Sequence, residues 1–151
     1  METDYDSIFT SIKRMVSRNI RKERTVGLAL SSFDSQVGAF WVDGGNYITL
    51  NRNVVEAMDA NQRNLQEKKA LVTVLLMHEY IHSLGFGSEI AARDLTAKII
   101  EREMGRESLE YSIAESGPWN VFPFLSEYRG RVSERIDIVN RFGSRDTDYI
   151  G

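Results

Sequence analysis

Apolar residues recur at three- and four-residue spacing between Tyr5 and Ile20, at Ile8, Phe9, Ile12, Met15, Val16 and Ile20. Polar residues fill the gaps, which is the pattern of an amphipathic helix with Asp4 or Asp6 placed to cap it. The period shortens to two at Val26, Leu28 and Leu30 and predicts a short strand, with Gly27 and Ala29 on its other face allowing close packing. Two extended segments follow across residues 38–51. They join at Asp43-Gly44-Gly45-Asn46, where glycine supplies the positive φ of a tight hairpin turn. Asn51 or Asn53 is placed to cap a short helix through Val54, Val55 and Met58, and residues 59–64 read as a polar loop.

Leu65 to Leu84 is the strongest periodic segment. Leu71, Leu75, His78 and His82 form one stripe, while Val72, Leu76 and Met77 add apolar bulk on adjoining faces, so this helix is expected to be mostly buried. Gly85 and Gly87 break it, Ser88 is placed to cap a second helix from Glu89 to Met104, and Gly105 ends that one. Residues 108–117 are polar and weakly patterned, and Pro118 and Pro123 bracket the aromatics Trp119, Phe122 and Phe124. Leu125, Tyr128, Val132, Ile136 and Val139 predict a last helix over 125–142, followed by a polar tail from Gly143 to Gly151. No internal repeat or low-complexity tract is present.

Composition narrows the chemistry. A chain of 151 residues with 42% hydrophobic and 27% charged positions has the size of one globular domain. Lys plus Arg number 19 and Asp plus Glu 22, a formal charge of −3, so no basic face is forced and nucleic acid is not the expected partner. Residues 1–10 carry three acids and no apolar run, and no stretch of spanning length is free of charge. Neither a leader nor a membrane span is expected, which makes the reading cytoplasmic. The absence of cysteine excludes disulfides, thiolate nucleophiles, iron–sulfur clusters and Cys-based zinc modules.

Both histidines of the chain fall in His78-Glu79-Tyr80-Ile81-His82. Residues four apart on a helix stand one above the other, so the two imidazoles can converge on one tetrahedral metal while Glu79 projects beside them. Two neutral imidazoles and an anionic oxygen suit Zn²⁺ and leave a fourth position for water, from which Glu79 can take a proton and pass it to a leaving amine. A third protein ligand must be an oxygen. On the following helix the candidates are Glu89, Asp94, Glu101 and Glu103. A wheel at about 100° per residue puts Glu89 near the middle of the apolar arc defined by Ile90, Ala92, Ala97, Ile99, Ile100 and Met104, and puts Asp94 and Glu101 with Lys98 and Arg102 on the polar arc. A short turn over residues 85–88 sets the first residues of that helix beside His82, which favours Glu89, with Arg93 one turn on as its possible orienting partner. Tyr111, Tyr128 and Tyr149 are candidate oxyanion donors that the spacing does not place, and Phe40, Trp41 and Tyr47 read as hairpin core.

The segment Leu75 to Gly85 resembles the active-site helix of the zincin metallopeptidases. With Glu89 opening the next helix it is similar to the gluzincin arrangement of two histidines and a glutamate, and the short chain most resembles the small archaeal minigluzincins. The resemblance covers residues 5–104, and only the pentad is a specific motif. It also makes residues 46–51 look like the edge strand along which zincins align an extended substrate. Ser88 stands where the metzincin pattern has its third histidine, although Gly85 matches that pattern's glycine. Arg102, flanked by Glu101 and Glu103, stands where many gluzincins place their glutamate.

These readings combine into an α+β, zincin-like single domain over residues 1–151. A backing helix, a small sheet with a hairpin and edge strand, the active-site helix and a second helix with the acidic ligand make a core over 1–105. A helical extension over 106–151 is free to cover the cleft. The expected activity is peptide-bond hydrolysis with zinc bound by His78, His82 and Glu89 and with Glu79 as general base and acid, on a peptide or protein substrate, active or latent. The alternative is a zinc-stabilised binding or regulatory protein whose cleft is blocked, and a metal-free helical domain is the third reading. Oligomeric state and cleavage specificity leave no mark in the sequence.

Overall fold

The computed structural model of the chain describes residues 3–34 and 36–141. Among them are six helices and a four-stranded mixed sheet, an α+β arrangement. Helix α1 (Tyr5–Ile20) opens the fold, with the Asp4 carboxylate accepting from the Ser7 N–H at its start. Its stripe of Ile8, Phe9, Ile12, Met15 and Val16 is buried, and the Phe9 and Tyr80 rings pack edge to face.

Strand β1 (Gly27–Ser32) pairs in parallel with β3 (Tyr47–Asn51), and β2 (Ala39–Trp41) pairs antiparallel with β3 through the expected hairpin. Gly44 sits in that turn at φ +78°. Leu28, Ile48 and Leu50 share one face of the sheet and belong to the core. At Gly27 a Cβ would come within 2.6 Å of both the Asn140 carbonyl and the Tyr47 ring, so the close packing expected there is a strict requirement. With a fourth strand, β4 (Ser133–Asn140), on the far side of β1, the strand order is β2-β3-β1-β4. Residues 46–51 therefore do not form an edge strand: β3 is interior, and the edge on its side of the sheet is β2.

Asn51 caps α2 (Arg52–Ala60), after which α3 (Leu65–Ser83) begins at a capping box between Asn64 and Glu67. Helix α4 (Glu89–Met104) starts at Ser88 and stops at Gly105, as the sequence predicts. Its buried positions are Ala92, Thr96, Ala97, Ile99 and Ile100, whereas Ile90 is 74% exposed and Met104 lies at the surface. The apolar arc is thus narrower than the wheel suggests.

The C-terminal third departs most from the sequence reading. Residues 108–117 hold a short helix, α5 (Leu109–Ser116), capped by Ser108 and packed through Ile113 and Ala114. Pro118 then opens the single turn α6 (Pro118–Val121), and Pro123 opens a 3₁₀ turn to Ser126 that buries Leu125. The predicted helix over 125–142 is not formed. Residues 133–140 make β4 (Ser133–Asn140), antiparallel to β1. The spacing behind the helical reading, 128-132-136, is a multiple of two as well as of four, so it fits one face of a strand equally well. Val132, Ile136, Ile138 and Val139 are β-branched, and β1 offers an open edge that strand pairing satisfies. Asp137 pairs with Arg52 of α2 and Asn140 with Asp6 of α1, which ties β4 to both helices. Phe142 and the tail 143–151 lie outside the described residues. No helix among the described residues is long and apolar enough to cross a membrane.

Candidate metal centre

Helix α3 runs through the core, and every residue from Ala70 to Leu84 is buried except His78, Glu79 and His82. Tyr80 and Ile81, between the histidines, face inward; the Tyr80 hydroxyl accepts from the Arg24 N–H at 3.2 Å. The polar residues of the pentad thus occupy the one strip of α3 that the fold leaves open. After Leu84 the chain turns at Gly85, with φ +109°. The turn presents the Phe86 carbonyl to His82 Nδ1 at 2.8 Å and sets Glu89 in the first turn of α4.

Three donor atoms converge there. His78 Nε2 and His82 Nε2 are 3.1 Å apart, and Glu89 Oε1 lies 3.1 Å from the first and 2.6 Å from the second. Because the Phe86 oxygen can only accept, His82 Nδ1 is the protonated donor, and in the neutral ring Nε2 carries a bare lone pair. A carboxylate oxygen and a second imidazole nitrogen facing that lone pair repel it unless a proton or a cation lies between them. Tetrahedral zinc with ligands at 2.0–2.1 Å would hold them about 3.3 Å apart, so the donor set fits such an ion. His78, Glu79 and His82 also form a group that could hold a metal, with ligand atoms within 4.8 Å of one another. Both carboxylates can therefore reach the centre, Glu79 from inside and Glu89 from the rim.

Their environments differ. Burial pushes the Glu79 carboxyl up to about 7, with the Glu89 charge adding, while His82 and the Trp41 backbone N–H pull the other way. The imidazoles beside it, His78 first and then His82, lower the Glu89 carboxyl, with burial opposing them. Glu89 remains 78% exposed at its side chain. It is a rim carboxylate, and its place near the middle of the apolar arc does not bury it; what brings it to the imidazoles is the 85–88 turn.

The Trp41 contact follows from strand pairing. Asn51 N–H donates to the Gly38 carbonyl at 2.9 Å, so 38 and 51 are a hydrogen-bonded pair and, by alternation, the backbone groups of Ala39 and Trp41 point away from β3. This unpaired edge of β2 borders a cleft of about 360 Å³ whose lining includes Ala39, Leu75, His78, Glu79, Glu89 and Trp119. Ile113 and Ala114 of α5, Gly117, and Pro118 and Trp119 of α6 also line it.

The other candidates lie elsewhere. Glu103 is held by Arg18 at 2.5 Å and by Asn19 at 2.9 Å, Glu101 pairs with Arg106, and Asp94 is exposed. Tyr128 lies 3.5 Å from Glu56, away from the cleft; Tyr111 is not among the cleft residues, and Tyr149 falls outside the described ones. Arg93 makes no ion pair with Glu89 and donates instead to the Glu115 carbonyl at 3.1 Å. Trp41 packs in the hairpin as expected, its Nε1 donating to the Gly45 carbonyl at 3.0 Å, but its backbone N–H reaches the site. The sequence reading missed the Trp41 backbone and the wall at Trp119. Hairpin register marks the first; no pattern in the sequence marks the second. Comparison with protein-family models, curated proteins and solved structures finds no match, so function has to be argued from these side chains.

Proposed function

We propose that the chain is a zinc-dependent metallopeptidase of the zincin type, with His78, His82 and Glu89 as metal ligands and Glu79 as the proton shuttle. The observation that carries this reading is the meeting of three lone-pair donors, His78 Nε2, His82 Nε2 and Glu89 Oε1, within 3.1 Å of one another beside a cleft that His78 and Glu89 line. Zinc held there supplies a Lewis acid that polarises a carbonyl and makes water a nucleophile near neutral pH. Glu79 stands one helix position from His78, with a carboxylate poised to accept a proton from water and return it to the departing amine. The open edge of β2 suits an extended peptide, since Ala39 offers its backbone N–H and carbonyl and Trp41 its carbonyl to a strand laid along them, the Trp41 N–H being turned to Glu79. The apolar lining at Val37, Leu75, Ile113 and Trp119 suits side chains of that peptide.

The test is Glu79→Ala. It should retain stoichiometric zinc, measured by elemental analysis of purified protein, while cleavage of a peptide library falls by a factor of about 100 or more. His82→Ala should lose both zinc and cleavage. Near-wild-type cleavage by the Glu79 variant removes Glu79 from the mechanism. A wild-type chain that binds zinc and cleaves nothing in the library favours the non-catalytic binding role instead.

A further inference from the structure

The cleft holds one feature that hydrolysis itself does not use. Of the side chains lining it, among the described residues, Glu79 and Glu89 are acidic and Arg93 alone is cationic. Arg93 lies one helical turn beyond Glu89, a rise of about 6 Å along α4, and the buried Thr96 extends the same wall. No carboxylate pairs with Arg93 among the described residues. Its hydrogen-bond partner is a neutral backbone oxygen, the Glu115 carbonyl at the end of α5. Next to it stands Gly117 at φ +95°, where a Cβ would sit 3.9 Å from the Arg93 Nη2. One Nη2 bond anchors the guanidinium to the α5 end, which leaves the other donors of its fork for a ligand in the cleft. A guanidinium fork with free parallel N–H groups is the natural partner of a carboxylate.

We propose that Arg93 is the carboxylate-recognising residue of this cleft. The ligand is then a peptide bearing a carboxylate, at its C-terminus or on an acidic side chain, one or two residues from the bond held at the His78–His82 centre. At about 3.5 Å per extended residue, that is the separation the one-turn offset of Arg93 from Glu89 spans. The inference rests on the reading of the cleft as a peptide site, and it does not require turnover.

The experiment uses full-length Glu79→Gln protein, with and without zinc, so that bound peptide is not consumed. Three N-acetylated apolar tetrapeptides are titrated: a free acid, its C-terminal amide, and an amide carrying Glu at the penultimate position. The chain has two tryptophans, Trp119 in the cleft wall and Trp41 on the bordering strand, so intrinsic fluorescence reports occupancy. The free acid, the Glu-bearing amide or both should bind about tenfold or more tightly than the plain amide, and Arg93→Gln should bring all three within about twofold. Whichever peptide is favoured identifies the carboxylate's source. Arg93→Lys, which keeps charge but not the fork, should retain only part of the discrimination. Equal binding of all three peptides, discrimination that survives Arg93→Gln, or no peptide binding overturns the proposal. So does a uniform weakening of all three in Arg93→Gln with a lowered melting temperature, because that is the signature of a mere α4–α5 tie. Arg93-dependent discrimination in a protein whose wild type cleaves nothing leaves this inference standing and removes the peptidase reading.

Discussion

Asn51 shows how much of the cleft depends on a residue outside it. Fully buried, it accepts from the Asn53 N–H at 3.0 Å as the cap of α2 and from the Phe33 N–H at 3.2 Å. Its amide nitrogen lies within 3.1 Å of the Phe33, Asp34 and Val37 carbonyls. One side chain thus does the work of a missing strand partner for the segment leading into β2, whose Gln36, Val37 and Gly38 line the cleft. Asn51→Ala should destabilise the fold by about 3 kcal/mol, because it removes the side-chain hydrogen bonds that hold the Phe33, Asp34 and Val37 backbone, at about 1 kcal/mol each, in addition to a helix cap. Urea unfolding measures this. Limited proteolysis of the variant should cut first near residues 33–37, and a loss below about 1 kcal/mol would mean that the segment is held by other contacts. The sequence already offers Asn51, with Asn53 as the alternative, as the cap of this helix, since that role is local. Its grip on Phe33 to Val37 is a tertiary property, and nothing in the neighbouring residues announces it.

At the level of elements, helices with strong punctuation are readable and elements that depend on partners are not. Ser88 and Gly105 bracket α4, Asn64 with Glu67 opens α3, and the pentad lies inside a helix whose apolar residues extend almost all round, so these follow from local signals. β4 depends on the free edge of β1, more than 100 residues earlier in the chain, and its spacing is ambiguous between periods. The interior position of β3 is equally invisible, because only the arrival of β1 on its far side decides it. Contacts between elements also explain where the unused acids go. Glu103 joins the end of α4 to the end of α1 through Arg18 and Asn19, and the Arg18 hydrogen bond, with its charge, lowers the Glu103 carboxyl. A depressed folded-state value means that the contribution is present above the ordinary carboxylate range and disappears as pH falls through the depressed one. Glu103→Gln should accordingly melt about 1–2 °C below wild type near neutrality, with the gap closing on acidification below about pH 4. A gap that persists at low pH would assign the effect to packing and not to charge.

Across the whole molecule, the C-terminal third is built into the core and into the sheet. Ile113, Phe122 and Leu125 are almost fully buried, and β4 pairs along the β1 edge from Leu28 to Ser32 with two register irregularities. The same third supplies the α5–α6 wall of the cleft, so the stretch that completes the core also shapes the site. Deleting residues 106–151 would therefore uncover the α5 side of α3 and α4, open the β1 edge, and remove the Asp137 and Asn140 partners of Arg52 and Asp6. Burial of Ile113, Phe122 and Leu125 alone is worth about 1.5–3 kcal/mol each, comparable in sum to the 5–15 kcal/mol net stability of a typical domain. The shortened chain should lose its cooperative thermal transition and bind a hydrophobic dye, as followed by circular dichroism and dye fluorescence. A cooperative melt within a few degrees of the full chain would instead establish residues 1–105 as a self-sufficient unit. In the expected case truncation cannot be used to ask whether the C-terminal region masks an active site. That question has to be put to the intact chain, by substitutions such as Trp119→Ala in the cleft wall, where freer access without loss of fold would raise cleavage.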